Sequence, residues 1–548
     1  MCLQPQAVYL IPEQTAQVAR AILPEGNLCL RLYDELGTIY ADPQFAGLFP
    51  RRGQPATSPT RLALVVVLQF LENLTDRQAA DAVRLRIDWK YLLGLELTDR
   101  GFHYSVLSEF RDRLVAHDPA ALLLDSLLDR LQDRHLYRPR GRARTDSTHI
   151  LAAIHTLNRL ELVGRTLQHA LNALARTAPT WLRAWVPPAW FARYSRLLDE
   201  YRLPQGAPAR QTLAEQIGAD GLQLLTQLDQ LETPALLREL PEVKLVQQVW
   251  AQQYTVTEGQ IAWRATDAQP TSAQRITSPH DPDARYSTKR SVSWVGYKAH
   301  LTETCDDDLP HLIIHVETSP ATEDDGTALP RIHADLATEE RLPQTHLVDT
   351  TYASAELLVR SQTEYQVELV APARPDVSWQ AQDPQAFGLA AFTIDWGSQQ
   401  ATCPQGQVSR HWHEEKGPRG QPTVQVQFDK GVCEPCPVRA RCTRRKTGPR
   451  ELTLHPQAEQ EALERARARQ QTPEFKAAYA ARAGVEGAIS EAVGAHDMRR
   501  TRYIGQDKTH LQHVLTAVAM NLTRLFAWWE EEPRARTRTS PFAALAAA

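Results

Sequence analysis

Three acids in this sequence could hold divalent cations. Asp146 lies in RARTDSTHI, whose alternation predicts the start of a strand. Asp349 follows the apolar pair Leu347 and Val348 in HLVDTTY, at the carboxyl end of another predicted strand. Side chains at such ends emerge into the crevice that crossover helices leave uncovered, so ligands gather there. Glu486 lies in YAARAGVEGAISEAV, where Tyr479, Arg482 and Glu486 are spaced three and four apart and share one helical face. Taken singly, each acid has a plainer reading: Asp146 and Asp349 as turn or capping residues, Glu486 as half of a surface ion pair with Arg482. Taken together, two strand-end aspartates and a later helical glutamate fit a pair of magnesium ions, which demand hard oxygen ligands and keep positions open for phosphate and water. Two ions about 4 Å apart can activate an attacking oxygen and stabilise a leaving one at phosphorus.

Four of the seven cysteines form a second set: Cys403, Cys433, Cys436 and Cys442, spaced C-x29-C-x2-C-x5-C. The close pair suits one corner of a zinc site and the other two could complete a tetrahedron; reduced free thiols are the alternative. The adjoining PVRARCTRRKTGPR is basic through Arg439, Arg441, Arg444, Arg445 and Lys446. Such a run is a solvated loop or, on a protein that handles DNA, a contact to the phosphate backbone.

The elements that must position these groups come from a long chain of ordinary composition. At 548 residues, 43% apolar and 23% charged, it is globular and large enough for several domains. The net charge of −4 does not favour a nucleic-acid partner, but a local basic stripe can act while acidic surface hides it in the total. No apolar run reaches the roughly 18 residues of a membrane span. The first residues lack the pattern of a secretory signal, which predicts a cytoplasmic protein. Helical periodicity covers about 62–114, where LTDRQAADAVRLRIDWKYLLGL reads as two short helices. Its Arg77, Arg84, Arg86 and Lys90 could serve a helix-turn-helix reader of DNA, or simply be solvated charges on a packing domain. YRPRGRAR marks a joint, and long helical patterns fill about 155–265. Strand signals then follow in SVSWVGYKAHLTET, LPHLIIHVETSP, THLVDTTYAS and YQVELVAPA, with helical spacing between the second and third and again near Ala355. That order predicts a mixed sheet with crossover helices.

Several motifs together resemble those of DDE transposases from bacterial insertion sequences, of the family 1182 type and related to the family 4 and family 5 types. They are TDSTHI, WVGYKAHLTETCD, HVETSPATEDD, HLVDTTYASAELL, CEPCPVRARCT, YAARAGVEGAISEAV and MRRTRYIGQDKTHLQHVLTAVAMNLTRL, with GFHYSVLSEFRDRL before them. The likeness runs from about residue 30 to 528. It implies an α/β fold with a ribonuclease-H-like catalytic core, whose first parts are 137–154 and 266–375 and whose C-terminal helical part is 456–530. It also implies an N-terminal helical DNA-binding domain over 1–136, while periodicity and composition add a helical insertion at 155–265, a Cys-rich, zinc-knuckle-like basic insertion at 376–455 and a mobile tail over 531–548.

The same resemblance makes Asp146, Asp349 and Glu486 the catalytic acids, holding two Mg2+ ions with Mn2+ able to substitute; a structural Zn2+ on the four cysteines remains what their spacing suggests, beside free thiols. It places Tyr479 and Arg482 against a DNA phosphate. The family's lysine seven residues beyond the glutamate is Val493 here, with Arg499, Arg500 and Arg502 nearby as replacements. Its glycine after the second aspartate is Thr350, followed by Thr351. The implied partners are the terminal inverted repeats and target DNA, bound by a homodimer or higher oligomer close to the nucleoid. A nuclease that cuts without joining, or a DNA-binding descendant without chemistry, are the alternatives.

Overall fold

The computed structural model describes residues 2–5, 9–117, 120–196, 198–257, 259–418 and 420–533. From residue 534 on, the tail expected to be mobile lies outside them.

One mixed sheet organises the centre of the chain. Its strands are β1 (Arg142–Leu151), β2 (Arg285–Lys289), β3 (Val292–Thr304), β4 (Ile313–Pro320), β5 (Thr345–Leu347) and β6 (Glu368–Val370). Strand β3 lies antiparallel to β1 along its length, from Ala143 opposite Thr304 to Leu151 opposite Gly296. The far edge of β3 is shared, β2 pairing with its first part and β4 with the rest. On the other side β5 runs parallel to β1, and β6 parallel to β5. Parallel neighbours need long crossovers, which the helices Asp325–Thr338 and Ala355–Tyr365 supply. All four strand segments read from the sequence are present, although THLVDTTYAS gives only three strand residues before turning into a short 3-10 helix at Thr350–Tyr352.

Strand alternation divides β1 into two faces. Thr145 points to one side, where its hydroxyl meets Thr302 at 2.7 Å and the His346 ring at 2.7 Å. Arg144 and Asp146 belong to the other.

Helices from both ends of the chain pack around this sheet. Pro59–Leu71, sequence PTRLALVVVLQFL, is apolar and buried nearly all round, as expected of a helix enclosed by others. Gln506–Trp529 is buried from Leu511 to Leu522 without a break. It is entered through Gly505 at φ 91°, a backbone state that glycine alone adopts without strain. Its Asn521 accepts from the Ile313 N–H at 2.7 Å and donates to the Ile313 carbonyl at 2.8 Å, so the helix is bonded to the main chain of β4. A single hydrophobic core therefore contains Leu32 and Val66 of the N-terminal helices, Leu301 and Ile313 of the sheet, and Val514 and Leu522 of the last helix.

Two further units have cores of their own. The block predicted at 155–265 packs Val163, Leu167, Ile217, Val246 and Trp250 together and extends to Ile276. The Cys-containing segment, whose periodicity is weak, contains a three-stranded antiparallel sheet of His411–Lys416, Pro422–Gln427 and Glu451–Leu454. Phe392, Val426, Phe428 and Leu452 fill its small core. Its strands are too short and too exposed on one side for alternation to stand out in the sequence.

A buried chain of charges ties the last two helices to the sheet. Arg144 Nε on β1 donates to Glu303 Oε2 on β3 at 2.6 Å, and Arg524 Nη1 donates to Glu303 Oε1 at 2.7 Å. Arg524 Nη2 continues to Glu491 Oε2 at 2.7 Å, on the helix Gly484–Gly494. Glu303 is almost fully enclosed, so removing it leaves two guanidinium groups facing each other out of water. Glu303→Ala should cost about 3–5 kcal/mol in urea unfolding, the range for a broken buried pair. Glu491→Ala, at the more exposed end, should cost roughly 1 kcal/mol. Equal losses would mean that Glu303 is not the centre of the tie.

Candidate active site

The parallel ladder of β1 and β5 brings the two aspartates together. Arg144 pairs with Leu347, so Asp146 and Asp349, each two residues further along, occupy adjacent register positions at the carboxyl end of β5. Each has local support. Asp146 Oδ1 accepts from the Ser147 N–H at 2.8 Å. Asp349 caps the 3-10 turn Thr350–Tyr352, its Oδ1 accepting from the Thr351 N–H at 2.7 Å and the Thr351 hydroxyl at 2.6 Å. The turn is formed by threonines with no residue at positive φ, so the chain needs no glycine after this aspartate. Burial pushes the Asp146 carboxyl above its ordinary range and the neighbouring Asp349 charge adds to that, while Arg482 and Lys289 oppose it.

Arg482 joins the third acid to this pair. Its Nη2 donates to Asp146 Oδ2 at 2.6 Å and its Nη1 to Glu486 Oε1 at 3.2 Å. The Arg482–Glu486 pair expected from four-residue spacing exists, but the same guanidinium also reaches across to the sheet. Helix Pro473–Ala480, the 3-10 turn Ala481–Ala483 and helix Gly484–Gly494 follow one another without a loop, which keeps Tyr479, Arg482 and Glu486 on one side. Arg144 fastens this junction, donating to the Ala481 carbonyl at 2.5 Å. Gly484 is required here, because a Cβ would collide with the Arg144 guanidinium. Tyr479 stacks on Phe475 with ring centroids 5.5 Å apart. Burial raises the Tyr479 pKa; Arg482 counters this, and Asp349, Asp146 and Glu486 add to it, so the phenol senses all four charges.

Other groups support the site from behind. Tyr352 and His300 share a 2.6 Å bond, and the other ring nitrogen of His300 meets Ser319 at 3.0 Å. Burial holds the His300 imidazole down at about 3, so it is neutral. Lys289 and Lys298 both pair with the buried Asp325, at 3.4 and 2.8 Å; Lys298 is enclosed and Lys289 exposed. The sequence singled out neither the Arg144–Glu303 pair nor the Tyr352–His300 bond, since their partners are brought together only by strand pairing and a crossover.

The donor set can be compared with what a metal needs. Among the described residues, no group of three or more His, Cys, Asp or Glu side chains is gathered tightly enough to hold an ion. Asp146 and Asp349 are paired hard-oxygen donors of the kind magnesium takes. Glu486 is exposed and held by Arg482, whose fixed cation stands between the glutamate and Asp146.

Two stretches of the chain match known families. Residues 402–526 match the transposase DDE domain, and residues 17–113 match the transposase domain DUF772. These matches support a DDE transposase. No curated protein matches the chain. The first match contains Glu486, the four cysteines and the basic segment, and the second contains most of the N-terminal helices, up to residue 113. Among the described residues no helix is long and apolar enough to cross a membrane.

The remaining residues singled out in the sequence fall in different settings. Cys403, Cys433, Cys436 and Cys442 line one cavity of about 40 Å³ with Phe387, Phe428 and Val438. Burial raises the Cys442 thiol pKa, Arg450 lowers it, and the other three sulfurs raise it further. In the basic segment Arg439 is used internally, donating to the carbonyls of Cys433 and Arg445. Arg441 stacks on Phe387, Arg444 lies over Trp379, and Arg445 pairs with Glu451 at 2.7 Å. Lys446 is exposed. Arg499 donates to Thr148 at 3.0 Å, beside the strand that carries Asp146. Arg500 is exposed, whereas Arg502 is turned toward Asn73 and lies over the Phe70 ring.

Arg482 is the nearest counter-charge for a largely enclosed Asp146. Arg482→Gln should lower stability by about 1–3 kcal/mol in urea unfolding. Adding Asp146→Asn to that variant should restore most of the loss, because the uncompensated charge goes with it. Simple additivity of the two changes would show that the pair is not coupled.

Proposed function

We propose that the chain is a DDE transposase that cleaves DNA at insertion-sequence ends and transfers the freed strand into target DNA, with Asp146, Asp349 and Glu486 as its catalytic acids. The observation that carries this reading is the adjacent placement of Asp146 and Asp349 on parallel strands, joined to Glu486 through Arg482. The strand order supports a ribonuclease-H-like core, since an antiparallel run of β1, β3 and β4 is extended on the other edge by the parallel strands β5 and β6. Terminal inverted repeats and target DNA would be the substrates, bound by a homodimer or higher oligomer.

The reading asks the three acids to hold magnesium, or manganese in its place, which requires Glu486 to leave Arg482 and close on the two aspartates; when bound, such ions lower the cost of charge on the attacking and leaving oxygens at phosphorus. The chain's own groups do the rest. Asp349 is held in one orientation by Thr351, and Asp146 by the Ser147 N–H. Arg482 and Tyr479 flank the acids, where a guanidinium and a phenol can bind and orient a backbone phosphate. Arg499 borders the same strand, and the exposed Arg500 and Lys446, with Arg444, offer further phosphate contacts. The N-terminal helices add a DNA-binding surface, and the four cysteines, which line one small cavity without being gathered tightly enough to hold an ion, would have to draw closer to take the structural zinc that their spacing suggests.

Asp146→Ala, Asp349→Ala and Glu486→Ala should each reduce end cleavage and strand joining to background, while binding to transposon-end DNA changes less than about threefold. A set that acts as a unit fails almost as completely with one loss as with three. Products should be assayed on plasmid DNA with Mg2+ and with Mn2+. Cleavage without joined products would identify a nuclease, and full activity in all three variants would remove these acids from the chemistry.

Protein purified without chelators should contain about one zinc per chain by elemental analysis, and Cys433→Ser or Cys436→Ser should lose it together with thermal stability. Zinc-free protein with an unchanged melting temperature would leave the four thiols as a packing cluster.

A further inference from the structure

The N-terminal helices carry an open cleft of about 510 Å³, lined by Arg77, Asp81, Arg84, Arg100, His103 and Tyr104. Its arginines have a different standing from the other two cations of that region. Arg86 is committed to Glu72 and Asp88, and Lys90 is buried with its ammonium donating to the carbonyls of Glu96 and Asp99. Lys90 is out of reach of a ligand, and the partly exposed Arg86 already has its charge paired twice. Arg77, Arg84 and Arg100 are exposed, and only Arg84 has a carboxylate partner, Asp81. The cleft lining therefore has an excess of positive charge.

The spacing of the charges favours a polymer over a small anion. Arg77 and Arg84 are seven residues apart on the helix Asp76–Leu85, so two turns put them about 10 Å apart along one face. Guanidiniums that far apart do not converge on one phosphate, but they suit duplex DNA, which presents a charge about every 1.7 Å of its axis. Arg77 lies over the Tyr104 ring at 4.6 Å and donates to its hydroxyl at 3.2 Å, which fixes the guanidinium at the rim. The His103 ring is held as well, its Nδ1 2.9 Å from the Ser105 hydroxyl and 3.3 Å from the Ser105 backbone nitrogen.

The cleft is also fastened to the sheet that holds Asp146. Asp76, at the start of the cleft helix, accepts from Arg111 at 2.6 Å, and Arg111 lies over the Tyr503 ring at 5.3 Å. Two residues before Tyr503, the Thr501 N–H donates to the Leu151 carbonyl at 2.9 Å, at the end of β1. A ligand in the cleft is thereby held in fixed relation to the acids.

We infer that this cleft binds the sugar-phosphate backbone of duplex DNA, through Arg77, Arg84 and Arg100, at a distance from the reacting phosphate. The inference rests on the transposase reading and assigns a subsite to its N-terminal helices.

The full chain should be titrated against a fluorescently labelled duplex and its anisotropy followed over a range of salt concentrations. The triple variant Arg77→Gln/Arg84→Gln/Arg100→Gln should bind about tenfold or more weakly, for all sequences alike, with the salt slope reduced by about 2–3. Its melting temperature should stay that of the wild type, because the three side chains are exposed. The corresponding lysine variant should recover most of the affinity, since phosphate contacts need charge before geometry. Wild-type binding with an unchanged affinity and slope in the triple glutamine variant would overturn the inference while leaving the transposase reading standing. A wild-type chain that binds no DNA would overturn both.

Discussion

The seating of the helical side of the candidate site on the sheet depends on one buried carboxylate. Glu303, on the central strand β3, takes Arg144 from β1 and Arg524 from the last helix, and through Arg524 it reaches Glu491. Buried charges of this kind add little net stability compared with apolar packing, but they tolerate no missing member. What they provide is registration. Arg144 also bonds the Ala481 carbonyl and fills the space beneath Gly484, so the segment that leads into Glu486 can sit in only one way on the sheet.

That registration explains the role of Arg482. Once the Ala481 turn is fixed against β1, a guanidinium one residue later falls between Asp146 and Glu486. Asp146 is mostly enclosed, and Asp349 stands beside it; without a cation nearby, two carboxylates at that depth would repel each other and favour a proton on one of them. Arg482 supplies that cation from the protein itself.

The ends of the chain meet at the same place. The last helix is enclosed by the N-terminal helices on one side and β4 on the other, and Asn521 and His513 bond its polar groups to β4, at Ile313 and Thr318. Surface that would be a domain boundary in a two-unit protein is here the interior of a single core. The helical block and the Cys-containing segment, by contrast, close their own cores.

The sequence by itself determined the elements and the residue types. Alternation in RARTDSTHI and SVSWVGYKAHLTET, the apolar run of Pro59–Leu71 and the four-residue spacing of Arg482 and Glu486 are local patterns, set by the 2.0 and 3.6 residue repeats of strand and helix. They located most strands of the central sheet and its crossover helices, but not the small sheet of the Cys-containing segment. Only the tertiary structure decided which groups face one another. The adjacency of Asp146 and Asp349 follows from the parallel register of β1 and β5, and the reach of Arg482 to Asp146 from the seating of a helix on a strand more than three hundred residues away. Arg86 and Lys90 look like Arg77 and Arg84 in the sequence, yet the first two are held by Glu72, Asp88 and backbone carbonyls while the others line an open cleft. Whether a charge is available to a ligand depends on the partners that folding brings to it, and no local periodicity encodes contacts between segments so far apart in the chain.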